Sequence, residues 1–152
     1  MAVGYFAVKR VPKPTYTPPL EQTSSSSPKA DLKTVQSSTI KFSVKIPVYY
    51  NVEEKIGSMI ISSSNGEIYI DKNGTNFDDL ESYVKDLSQK NKFNLVDKKN
   101  LVINGLPSIS GKVGEEKNYF IYKTNTVYTL SAKSEKLHST LDQIAQSFRY
   151  TP

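Results

Sequence analysis

The 152-residue chain has no cysteine and a single histidine, His138. Without thiols there is no disulfide, no cysteine nucleophile, no cysteine-ligated zinc and no lipidated cysteine anchor. The compartment stays open, because a cysteine-free chain suits any redox environment. One histidine excludes a histidine-built metal site. It also leaves a Ser-His-Asp triad dependent on a serine and a carboxylate converging on His138. No Gly-x-Ser-x-Gly turn offers the exposed nucleophile such a triad uses. The seven glycines are scattered at turns, so no glycine-rich loop cradles phosphates. No apolar run approaches the ~20 residues of a membrane-spanning helix. Charge of one sign is also thin: of the net +5, residues 1–38 carry +3 and residues 39–152 only +2. The dense basic stripe of a nucleic-acid binder is missing, and nucleic acid is not an expected partner.

What is present divides the chain in two. Residues 1–38 hold Pro12, Pro14, Pro18, Pro19 and Pro28 and the run Thr23-Ser24-Ser25-Ser26. Such composition cannot bury enough apolar surface to offset the entropy of ordering it, so a disordered stalk is expected up to Ser38. Ahead of it, the apolar run Met1–Val8 stops sharply at Lys9-Arg10. This has the look of the last two turns of a membrane anchor, and the natural protein is then expected to begin further upstream. An ordinary disordered N-terminus is the alternative reading. Residues 39–152 are enough for one hydrophobic core.

That core is expected in alternating elements. Ile40, Phe42, Val44 and Ile46 alternate with Thr39, Lys41, Ser43 and Lys45, the period of a half-buried strand closed by Pro47. Val48–Asn51 reads as a bend, and Met59–Ser62 and Glu67–Asp71 as strands joined at Asn65-Gly66, a hairpin signal because tight turns need positive φ. Lys72-Asn73-Gly74 should turn the chain into a helix capped by Thr75 or Asn76. Its stripe is Phe77, Leu80, Tyr83, Val84 and Leu87, ending near Asn91. Strands are predicted at Phe93–Ile103, with an irregularity at Asp97–Asn100, then at Pro107–Val113, Tyr119–Lys123 and Thr126–Ala132. Gly114–Lys117 reads as a loop. A closing helix capped by Ser134 buries Leu137, Leu141, Ile144, Ala145 and Phe148. Each helix has one apolar face, so each should pack on a sheet.

Tested for chemistry, most constellations reduce to structure. Asp71–Thr75 resembles the start of a calcium loop, but Asn76 stands where glycine is required and Ser82 where the bidentate glutamate belongs. The carboxylate pairs Glu53-Glu54, Asp78-Asp79 and Glu115-Glu116 are adjacent in sequence, so their side chains diverge and make no acid–base pair. Asn73-Gly74-Thr75 is a glycosylation sequon by chance. Lys90, Lys92, Lys98 and Lys99 form the one local basic cluster, read as a solvated face with an anionic partner as the alternative. The tyrosines stand out more. Tyr69, Tyr119, Tyr122 and Tyr128 fall on predicted strands, and tyrosine combines an apolar body with a polar tip suited to a ligand groove. These four are the candidate binding surface; covering the sheet is the plainer role for them.

The order of strand, hairpin, helix, several strands and closing helix resembles the PsbP-like fold. Phe42–Pro47 is similar to that family's opening strand, Asn104-Gly105-Leu106 to its central Asn-Gly signature, Tyr119–Leu130 to its paired Tyr-rich strands, and Leu141–Phe148 to its closing helix, which often ends Ser-Phe. The chain lacks a Trp after Pro47 that is common there. The family includes a photosystem II subunit, a Ran-binding nuclear import factor and bacterial exported proteins. The resemblance spans about residues 39–150 and implies an α+β fold, with helices on both faces of one antiparallel sheet of about six to seven strands, an α/β/α sandwich. It transfers no catalytic residue, and with His138 alone no metal site. The function expected is a non-catalytic binding or accessory domain outside a bacterial membrane. Its partner would be a protein or small ligand at the cell envelope, and a membrane tether would run through the N-terminus. A small-ligand or lipid carrier using a Tyr-lined sheet face is the rival, and an enzyme stands behind both. No cofactor and no metal are expected.

Overall fold

The computed structural model describes residues 30–152. The Met1–Val8 run and most of the expected stalk lie outside them. The described chain runs β1 (Leu32–Ser37), β2 (Phe42–Pro47), β3 (Asn51–Lys55), β4 (Ser58–Ser63), β5 (Gly66–Gly74), α1 (Leu80–Asn91), β6 (Val96–Ile103), β7 (Leu106–Val113), β8 (Glu116–Tyr122), β9 (Thr126–Ala132), a 3-10 turn (Glu135–Leu137), α2 (His138–Ser147) and β10 (Arg149–Tyr150). The class is mixed α and β with antiparallel pairing throughout, as the sequence implies.

The expected single sheet is two. A seven-stranded sheet is ordered β3-β4-β5-β9-β8-β7-β6, and a three-stranded sheet β1-β2-β10. The expected opening strand, β2, thus lies at the centre of the small sheet. β1 occupies residues assigned to the stalk, so among the described residues the fold already includes Leu32–Ser37, ahead of Thr39. Its own pattern is weak, since Val35 is its one side chain packed on the core. It is a strand because all six of its residues pair with β2, from Leu32↔Pro47 to Ser37↔Phe42.

The period-2 reading of β2 holds: Ile40, Phe42, Val44 and Ile46 are buried while Lys45 is exposed. They join Met59, Ile61, Ile68, Ile70, Tyr128, Leu130, Leu141, Ile144 and Phe148 in the main core. The seam is aromatic. Phe42 stacks on Phe148 at 5.5 Å, and Tyr128 meets Phe148 at 5.0 Å and Phe42 edge-on at 6.0 Å. The Tyr128 hydroxyl donates to the Ile40 carbonyl at 2.7 Å, pinning the turn between β1 and β2 to the large sheet.

β8 shows how the large sheet uses both faces. Tyr119 and Ile121 face the main core with α2 and β2, whereas Phe120 and Tyr122 face a second cluster with Leu80 and Val84 of α1. The helix start differs from expectation. Lys72-Asn73-Gly74 does not turn but extends β5, pairing with β9 through Gly74↔Thr126. Asp79 is the cap, in place of Thr75 or Asn76. Its Oδ1 accepts from Ser82 N at 2.8 Å and its Oδ2 from Ser82 Oγ at 2.7 Å. Those two bonds from Ser82 hold the Asp79 carboxyl below its ordinary range. Ser134 makes no side-chain cap.

Turn chemistry separates the two Asn-Gly pairs. At Asn104-Gly105 both residues take positive φ, 48° and 82°, between the paired Ile103 and Leu106. At Asn65-Gly66 only the glycine does, with φ 125°, and it already pairs with Ser63. Asn104 also ties the turn to α2. Its Nδ2 donates to the carbonyls of Gln146 and Phe148, at 3.1 and 2.6 Å, closing the C-terminal end of that helix.

Candidate functional site

The four tyrosines do not form one exposed surface. Tyr128 is wholly buried, and burial pushes its phenol up to about 12. Tyr119 is buried on the same face, its hydroxyl donating to Asp142 Oδ1 at 2.7 Å. Burial and that bond raise its phenol well above the ordinary 10.0. Tyr122 is half-buried on the opposite face against α1, its hydroxyl donating to the Phe77 carbonyl at 3.2 Å. Tyr69 is half-buried on β5 and bonds to Glu67, which raises its phenol. The reason is the pleat: Tyr119 and Tyr122 are an odd number of residues apart on one strand and point to opposite faces. A Tyr-lined carrier face is therefore not formed.

The sequence cluster of lysines also disperses. Lys90 pairs with Asp86 at 2.8 Å one turn back on α1. Lys92 takes left-handed φ 52° as the C-cap of α1. Lys98 reaches Glu81 on α1, a contact that lowers the Glu81 carboxyl. Lys99, its neighbour, faces the other way. The register of β6 shifts between Val96 and Lys99, where Asp97 has φ 53°, so the expected irregularity is a bulge; the consecutive lysines then follow the ordinary alternation of a strand.

Lys99 opens onto a groove of about 530 Å³ between α2 and β6–β8, lined also by Ser110, Lys112, Lys117, Tyr119 and Asp142. Its floor follows from pairing: Lys99↔Ser110↔Tyr119 form one cross-strand row and Lys112↔Lys117 the next. Two lysines directly opposite repel one another. Asp142, from the second turn of α2, answers one of them, standing 2.6 Å from Lys117 Nζ while accepting the Tyr119 hydroxyl. Lys99 and Lys112 enter no ion pair among the described residues. Sequence reasoning missed this arrangement because it assigned Lys117 to a loop. In the structure Val113 pairs with Glu116 around the two-residue loop Gly114-Glu115, which sets Lys112 opposite Lys117.

A second groove, of about 320 Å³, lies on the α1 side and is lined by Leu101, Val102, Pro107 and Ile109 with Asp79 and Leu80. His138 sits at the start of α2, its Nε2 at 3.2 Å from the Ala132 carbonyl, with no serine–carboxylate pair converging on it among the bonds of the described residues. No group of three or more His, Asp or Glu placed to hold a metal lies among the described residues. No helix there is long and apolar enough to cross a membrane.

No protein-family model matches the chain, and no curated protein sequence matches it either. Solved structures do. The solution structure of cyanobacterial PsbP (CyanoP) from Synechocystis sp. PCC 6803 superposes with a TM-score of 0.55 at 11% identity, over 80% of this chain and 93% of that one. A crystal structure from Bacteroides thetaiotaomicron VPI-5482 superposes with a TM-score of 0.51 at 14% identity, over 79% of this chain and 48% of that one. At such identities the likeness concerns the backbone alone: the chain has a PsbP-like fold.

Proposed function

We propose that this is a binding or accessory domain with no catalytic step of its own, acting outside the cytoplasm at the bacterial cell envelope. The two helices and two sheets are read as the layers of an α/β/α sandwich that holds the binding surface rigid. One observation carries the reading: the groove between α2 and β6–β8, where charged and hydroxyl side chains converge. Asp142, the carboxylate at its wall, is already bonded to Lys117 and Tyr119. A carboxylate so held positions neighbours well but is poorly placed to take a proton from a substrate. The envelope location is part of the proposal and extends the resemblance of the sequence to bacterial exported PsbP-like proteins.

The test is an amide spectrum of the isotope-labelled full chain, recorded against amino acids, sugars, short peptides, fatty acids, inorganic phosphate and citrate. At least one class should shift amides of β6–β8 and α2 saturably and be recovered unchanged. Gln146→Trp, on the exposed rim of the groove, should block the response. Turnover of any compound in a manner dependent on Asp142 or His138 would replace this reading with an enzymatic one. Silence of the groove toward every class would end it.

A further inference from the structure

We propose that the groove between α2 and β6–β8 is a binding site for a compact, multiply charged oxyanion, such as inorganic phosphate or a tricarboxylate, held by Lys99 and Lys112. This rests on the binding-domain reading above and names the ligand class of the same site.

The argument begins with register. Lys99 stands opposite Ser110, and Lys112 lies two residues further along the same strand, on the same face. Directly opposite strand positions are about 5 Å apart and diagonal ones about 7–8 Å, well within the reach of two lysine side chains toward one ligand. Lys112 also stands directly opposite Lys117. Folding therefore assembles three ammonium groups at the rim of one cavity, against their mutual repulsion.

The protein relieves this only in part. Asp142 is committed to Lys117 at 2.6 Å, and Lys98 to Glu81 across the sheet. Of the charged side chains lining the groove, Lys99, Lys112 and Asp97 are left outside these pairs. The surplus is positive. Lys112 and Lys117 are half-buried, so the repulsion is less screened than between fully exposed groups.

The rest of the site suits an oxyanion. Lysine supplies point charge with rotatable donors, and Ser110 places a hydroxyl on the floor between Lys99 and Tyr119. Tyr119 is held by its bond to Asp142, which also fixes Lys117 from the other side. The unbroken register from Ile103↔Leu106 back to Lys99↔Ser110 holds Lys99 on the groove's side of the sheet.

The experiment uses the full chain titrated at constant ionic strength with inorganic phosphate, with citrate and, as control, with chloride. A second arm uses phosphatidylcholine vesicles with and without phosphatidic acid. Phosphate or citrate should shift the amides of Lys99, Ser110, Lys112 and Tyr119 saturably, with a Kd below about 1 mM. Lys99→Gln and Lys112→Gln should each weaken binding about ten- to hundredfold, the effect of losing one charge-assisted bond. Lys90→Gln, whose lysine is exposed on α1, should change nothing.

Lys112-dependent sedimentation with phosphatidic acid vesicles would assign the oxyanion to a lipid headgroup, and solution binding alone to a free ion. Circular dichroism checks that each variant folds; if Lys112→Gln does not, the exposed Lys99→Gln decides. The proposal is overturned if phosphate, citrate and phosphatidic acid all leave the groove unmoved, or if chloride matches them. It is also overturned if both glutamine variants keep full affinity. A groove that ignores oxyanions but answers another compound class overturns the ligand and leaves the binding-domain reading intact.

Discussion

Replacing Tyr128 by phenylalanine removes one oxygen from the centre of the protein and tests whether this tyrosine is core or surface. The ring should stay where it is, since its contacts with Phe42 and Phe148, at 6.0 and 5.0 Å, are those of an aromatic face and edge. What is lost is the bond to the Ile40 carbonyl at 2.7 Å and a longer one to Lys41 at 3.4 Å. Tyr128 has no solvent exposure and Ile40 only 2%, so water cannot replace the hydroxyl without rearrangement. An acceptor left unsatisfied in such a place costs about 1–3 kcal/mol, more than the ~1 kcal/mol net worth of an average hydrogen bond. For a domain of this size that is a fall in Tm of ~4–12 °C. The assay is urea unfolding followed by far-UV circular dichroism. The midpoint should fall with an unchanged slope, because the surface exposed on unfolding is the same. Tyr122→Phe, whose hydroxyl lies at 3.2 Å from a carbonyl at a half-buried position, should cost less. A loss under about 0.5 kcal/mol at Tyr128, or one no greater than at Tyr122, refutes the reasoning that the hydroxyl pins the small sheet to the large one.

Other consequences can be measured on the same chain. Leu141→Ala, at a site with no exposure in the face of α2, should cost about 2–5 kcal/mol by urea unfolding, and a negligible loss would mean that α2 does not dock. A fragment starting at residue 39 should be less stable and more aggregation-prone than one starting at residue 30, because it exposes the edge of β2 that β1 covers; equal midpoints in thermal melts would remove β1 from the folded unit. Gly111→Ala places a Cβ 2.6 Å from Leu95 Cγ and 3.0 Å from the Val96 carbonyl, and should destabilise by about 1–3 kcal/mol, again read from the urea midpoint. The phenols of Tyr119 and Tyr128 are raised in the folded state from the ordinary 10.0, so their contribution to stability is complete below that value and is lost as pH rises through the folded one. Phenolate absorbance should show these two tyrosines ionising last, together with alkaline unfolding; a single transition of all ten near pH 10.0 in folded protein would contradict their burial.

The sequence by itself determined the elements whose periodicity is strong and local. The alternation from Ile40 to Ile46, the stripes of α1 and α2, the Asn104-Gly105 turn and the irregularity near Asp97 are all legible, because each records which side of one segment is apolar or which backbone angle one turn requires. The start of α1 was misplaced since Thr75 and Asp79 both have capping side chains, and only the continued pairing of β5 with β9 chooses Asp79. Tertiary structure alone decided the rest. β1 has little apolar pattern of its own and exists through its register with β2. Whether Tyr128 is a binding residue or the keystone of the core depends on which face of β9 meets β2, a contact between segments more than eighty positions apart. The groove is of the same kind: Lys99, Lys112, Lys117 and Asp142 come from three strands and a helix, and no local pattern marks them. Secondary structure follows from short-range sterics and side-chain periodicity, whereas a site made by cross-strand register is written only in the distances between segments remote in sequence.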